Sequence, residues 1–88
     1  MHKVLEIVNE KGLHARASAK LVEVVEAHDA SAEVSKDGLS ASGDSIMGLL
    51  MLAASKGTSI EVQTSGPEAD KLADALEALV KDRFGEEI

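Results

Sequence analysis

Apolar residues along this chain switch between a spacing of two and a spacing near 3.6, and each switch marks a structural element. Val4 to Val8 is rich in β-branched and aliphatic residues and runs into the polar loop Asn9-Glu10-Lys11-Gly12, which predicts a strand ended by a turn. From Ala15 to about Ala27 the period lengthens: Leu21, Val24, Val25 and His28 fall at i, i+3, i+4 and i+7, one face of a helix. Ala32 and Val34 then alternate with polar neighbours, Asp37-Gly38 supplies a tight turn, and Leu39 and Ala41 alternate again, the pattern of a β-hairpin. A short apolar helix is expected from Ser45 to about Ala53, and a further strand around Ile60 and Val62. Gly66-Pro67-Glu68 opens the last helix, with Pro67 at its first helical position and buried positions at Ala69, Leu72, Ala73, Leu76, Leu79 and Val80.

The resulting order, βαββαβα, predicts an α+β fold: helices on one face of a mainly antiparallel sheet, with the other face open to water. Glu33, Ser35, Glu61 and Gln63 suit that open face. Periodicity alone equally allows a ferredoxin-like sheet. No linker or repeat interrupts the pattern, so residues 1–88 are expected to form one domain, and a chain of this length has little room for a deep substrate cavity. Size therefore favours a binding or carrier module over a self-contained enzyme.

Charge and composition narrow the partners. Nine basic against sixteen acidic residues give a net charge of −7, which argues against nucleic acid, although Lys11, Arg16 and Lys20 form a local basic spot. With no cysteine, disulfides and thiolate metal sites are excluded, and three scattered histidines offer no ligand cluster. The N-terminus breaks its apolar run too early for a signal peptide, and the longest apolar stretch, Ile46 to Ala54, is far short of the roughly 20 residues of a membrane helix. The expectation is a soluble, cytoplasmic protein without membrane insertion and without a bound cofactor. No glycine-rich nucleotide loop is present, which excludes an autonomous kinase.

The chemistry concentrates in Gly12-Leu13-His14-Ala15-Arg16-Ala17-Ser18, where a histidine stands at the start of the first helix. Unpaired backbone N–H groups and the positive end of the helix dipole favour an anion there, disfavour imidazolium, and so keep a ring lone pair available. Arg16 adds a planar cation suited to a phosphoryl group. Imidazole is neutral at working pH and passes on what it accepts, so reversible phosphorylation of His14 is the first hypothesis. The bland alternatives are an ordinary surface histidine and a solvated arginine. His28, near the end of the first helix, fits an interaction with the C-terminal dipole, and His2 lies at the chain start; neither is a site candidate.

The block Gly12-Leu13-His14-Ala15-Arg16-Ala17 resembles the active-site signature of the histidine-containing phosphocarrier (HPr) family of the phosphoenolpyruvate-dependent phosphotransferase system. Ser45-Ile46-Met47-Gly48 resembles that family's regulatory serine site at the matching separation, and the resemblance covers essentially the whole chain. Ala17 departs from it, since many members carry proline there; proline only preorganises the helix start. The resemblance implies an open-faced β-sandwich, a four-stranded antiparallel sheet of order 1-4-2-3 with three helices on one face. It implies a monomeric phosphocarrier, with His14 accepting on Nδ1 from enzyme I and donating to enzyme IIA-type proteins, Arg16 stabilising charge, and the backbone of Ala15, Arg16 and Ala17 facing the phosphoryl group. Arg16, Ala19, Lys20, Ile46, Met47 and Leu50 would form the docking face.

Ser45 is also a good helix N-cap on its own account, and capping does not exclude modification by a serine kinase/phosphorylase, which would add negative charge where partners approach. In the apolar helix that follows, Leu49, Leu52 and Ala53 can face inward while Ile46, Met47 and Leu50 share the opposite sector. The family module serves a sugar-uptake and a nitrogen-regulatory branch, and the residues do not choose between them. The competing class is a small ligand-binding regulatory domain, which would keep its function without His14.

Overall fold

A computed structural model describes residues 1–87. The elements run β1 (His2–Glu6), α1 (Ala15–Glu26), β2 (Ser31–Lys36), β3 (Leu39–Ser42), α2 (Ile46–Met51), β4 (Ser59–Ser65) and α3 (Ala69–Lys81), followed by a 3₁₀ turn at Arg83–Gly85. All strand pairs are antiparallel, in the spatial order β1-β4-β2-β3. Of the two sheets that the alternation permits, the chain forms the one implied by the resemblance.

Register sorts the two faces. Leu5 lies opposite Ile60, Val34 opposite Val62 and Ala41, and Ala32 opposite Thr64. These side chains point inward, and all are buried except the half-buried Ala41. Glu33, Glu61 and Gln63 point outward and are exposed, and Ser35 is half-exposed. Helix α1 packs on α2 and α3, α3 covers β1 and β4, and α2 covers β3. The core between the layers contains Leu21, Val25, Leu49, Leu72, Leu76 and Val80, with Phe84, the only aromatic residue, fully buried. Lys3 sits on the inner face, where its ammonium bridges Asp74 and Glu77 of α3 at 3.4 and 3.1 Å.

The hairpin turn is as its sequence requires: Asp37 and Gly38 both take left-handed backbone, with φ of 51° and 82°, the geometry that matches strand twist in a two-residue loop. Several boundaries differ from the sequence reading. β1 begins and ends two residues earlier than Val4–Val8, because Ile7 leaves the ladder and instead exchanges bonds with the loop before β4, donating to Thr58 O and accepting from Gly57 N–H. The last helix starts at Ala69, so Pro67 lies before it; Glu68 is the N-cap and its N–H donates to Asp29 O, an anchorage outside the helix that periodicity does not encode. Ala69 and Leu79, placed in the buried stripe, are half-buried. Helix α2 ends at Met51 because Ala53 turns left-handed (φ 53°), and this points Ala53 outward rather than into the core. Leu50, which the helical wheel groups with Ile46 and Met47, is half-buried while those two are exposed. The 3₁₀ turn at Arg83–Gly85 carries no periodic signal in the sequence.

Candidate functional site: a histidine at the start of α1

The loop before α1 is held from below by Asn9. Its buried side chain donates to Gly12 O at 2.8 Å, and Gly12 N–H donates back to Asn9 O at 3.2 Å, closing a tight turn. Gly12 has φ 66°, and a Cβ there would stand 2.4 Å from Ala54 O, so the position requires glycine. Leu13 N–H then donates to Ala54 O at 2.8 Å, tying the loop to the segment between α2 and β4. Ser18, buried in the first turns of α1, donates through Oγ to Leu13 O.

This scaffold puts His14 at the N-cap of α1, in extended backbone, with its carbonyl accepting the first helical bond from Ser18 N–H. The ring does what a serine or aspartate usually does at that position: Nδ1 accepts from Arg16 N–H at 3.3 Å. At the other side of the ring, Nε2 meets Glu86 Oε2 at 2.5 Å. Glu86 Oε1 accepts from Asn9 Nδ2 at 2.9 Å, so a single buried amide braces both the loop and the carboxylate beside the histidine. That bond, and then the His14 ring, hold the Glu86 carboxyl below the usual glutamate range against the opposing effect of burial.

Arg16 is exposed and lines an open cleft of about 290 Å³ with Lys11, Lys20, Gly85, Glu86 and Glu87. The basic spot read from the sequence is thus gathered beside His14. Lys20 is engaged internally, its ammonium donating to Phe84 O at 2.6 Å. Of the other candidates, Ala15 is exposed, Ala17 is fully buried and Ala19 is half-buried. Ser45 caps α2, its Oγ accepting from Gly48 N–H at 3.1 Å. Ile46 and Met47 are exposed on α2, and so is Met51, at 76 %, which the helical wheel did not nominate. His28 Nδ1 lies 2.8 Å from Val24 O at the end of α1, the dipole contact expected of it, and His2 pairs with Glu61 on the outer face.

Sequence reasoning missed Glu86 and Asn9. Glu86 is far along the chain and no spacing links it to His14. Asn9 carried a weak signal, an asparagine three residues before a glycine in a polar loop, which is a turn-forming combination.

A histidine at a helix start, braced by a carboxylate and set beside a cleft with three cations on an open surface, has the build of a module that carries a group between macromolecules. Comparison with known proteins specifies the class. Residues 1–82 match the family described as "PTS HPr component phosphorylation site". The phosphocarrier protein HPr of Cupriavidus necator is 44% identical over 80 residues, covering 91% of this chain and 90% of that one. The phosphocarrier protein NPr of Escherichia coli is 37% identical over 86 residues, covering 97% and 96%. The crystal structure of HPr-C-His from Thermoanaerobacter tengcongensis superposes with a TM-score of 0.94 at 32% identity, covering 100% and 99%. The chain belongs to the HPr family and is a phosphocarrier of the phosphotransferase system.

Proposed function

We propose that His14 is the carrier residue: Nδ1 accepts a phosphoryl group from phosphorylated enzyme I and passes it to a histidine on an enzyme IIA-type protein. The observation that carries this reading is the placement of Nδ1 against Arg16 N–H at the first turn of α1. A phosphoryl group on Nδ1 replaces that contact with its own oxygens, which then face the amides of Ala15, Arg16 and Ala17 and the positive end of the helix dipole. The exposed Arg16 guanidinium adds charge stabilisation from the solvent side.

Docking uses the face shared by α1 and α2, with Arg16, Ala19 and Lys20 on one helix and Ile46, Met47 and Leu50 on the other. Support for it lies in exposed Ile46 and Met47 on a helix packed against α1, since large exposed apolar side chains beside a cationic rim suit transient partner surfaces. Ser45 belongs to the same surface and is a regulatory site for a serine kinase/phosphorylase. Its phosphate is tolerated by the helix start yet opposes an acidic partner.

The test is phosphoryl acceptance from phosphoenolpyruvate and purified enzyme I. The wild type should gain one acid-labile phosphate, and His14→Ala should gain none while keeping its circular dichroism. Acceptance by His14→Ala at the wild-type rate would overturn the assignment.

A further inference from the structure

The segment after α3 lies outside the part of the chain matched to the family, which ends at residue 82. It makes a close turn: Arg83 and Phe84 take left-handed backbone with φ of 55° and 54°, and the Phe84 side chain is fully buried. Lys20 clamps the turn through Phe84 O. Glu86 is thereby returned to the loop of His14, where its side chain is only 13% exposed and both carboxylate oxygens are in use, one on Asn9 and one on the ring.

The two ring contacts assign the same tautomer. An ionised carboxylate can only accept, so Nε2 carries the proton that faces Glu86; the amide of Arg16 can only donate, so Nδ1 facing it carries a lone pair. We propose that Glu86 is a positioning residue for phosphoryl transfer: it fixes His14 in the Nε2–H tautomer, leaving Nδ1 as the nucleophile, and balances the charge that the ring acquires. This inference rests on His14 being the carrier residue.

In the accepting step the Nδ1 lone pair forms the bond to phosphorus while the P–N bond to the donor's histidine breaks, the donor nitrogen keeping the bonding pair. The Nε2 proton stays in place, so the ring becomes a phosphoimidazolium whose positive charge lies against the Glu86 carboxylate. In the donating step the ring leaves as neutral imidazole. Without the Nε2 proton it would have to leave as imidazolate, a far poorer leaving group, so the carboxylate serves both directions of transfer. Asn9 stands behind Glu86 as Glu86 stands behind the ring, the arrangement in which outer groups orient a functional imidazole.

The experiment compares wild type with Glu86→Ala and Glu86→Gln. It reads the ¹⁵N shifts of the His14 ring above neutral pH without phosphoryl donor, and the rates of phosphoryl acceptance and donation. The wild type should show Nε2 protonated and Nδ1 bare. Glu86→Ala should populate both tautomers and slow both rates by about 10- to 100-fold, the usual cost of losing an orienting partner. Glu86→Gln, whose amide oxygen still accepts from Nε2–H but carries no charge, should keep the tautomer and still slow transfer. Unchanged ring shifts and rates in Glu86→Ala, in a protein with an otherwise native amide spectrum, would overturn the proposal. So would wild-type rates in Glu86→Gln, for the charge-balancing part. A wild type that takes up no phosphoryl group would instead overturn the carrier reading, while the ring shifts still test the tautomer by themselves.

Discussion

At the residue scale, His14 depends on partners drawn from both ends of the chain. The spacing Gly12-Leu13-His14-Ala15-Arg16 made the helix start with its histidine cap and neighbouring cation legible, because dipole, cap position and cation are all local in sequence. The brace on the other side of the ring was not, since Asn9 and Glu86 meet only after α3 has crossed the sheet and Phe84 has been buried. Phe84 is the anchor of that return. Phe84→Ala should cost about 3–5 kcal/mol, as expected for truncating a fully buried aromatic, and should release Glu86 from the ring. Denaturant unfolding gives the first quantity and the His14 ring shifts give the second; a loss below 1 kcal/mol would show that the turn contributes little.

At the element scale, the helix starts carry the testable energetics. Ser45 caps α2 by accepting from Gly48 N–H, so Ser45→Ala should lower stability by about 0.5–2 kcal/mol. Ser45→Asp should retain the cap and yet slow acceptance from enzyme I through its added charge; equal acceptance rates in both variants and wild type would remove the regulatory role. Helix α3 is tied to the loop before β2 by a reciprocal pair, Glu68 N–H donating to Asp29 O and Asp29 N–H donating to Glu68 Oε1 at 2.7 Å. The Asp29 N–H holds the Glu68 carboxyl below the usual glutamate range. A depressed folded-state value favours folding above the unfolded-state pKa of about 4.3 and loses that contribution as pH falls through the folded value. Wild type should therefore exceed Glu68→Gln in thermal stability near neutral pH and converge on it in acid, which a series of melting curves would show. Periodicity located each of these helices, yet misplaced the start of α3, because the capping exchange with Asp29 is a long-range contact that no helical wheel contains.

At the scale of the whole molecule, the antiparallel sheet with one wet face followed from alternation, whereas the strand order followed from resemblance, since a ferredoxin-like sheet shares the same element order. An acidic chain of net charge −7 nevertheless gathers Lys11, Arg16 and Lys20 around one cleft beside its histidine. Glu86 and Glu87 line the same cleft and Lys20 is engaged on Phe84 O, which leaves the exposed Arg16 and Lys11 as the cations that a partner can meet there. Among the described residues no helix is long and apolar enough to cross a membrane. The chain has three histidines, and only His14 combines a helix start, a carboxylate brace and the cationic cleft. The most direct measurement is peptide-resolved mass spectrometry, under mildly alkaline conditions, of protein treated with phosphoenolpyruvate and enzyme I. A single acid-labile phosphate on the peptide containing His14 is the predicted result. Phosphate on the His2 or His28 peptide, or none with an enzyme I proven active on its own carrier and with donors from both branches, would contradict it.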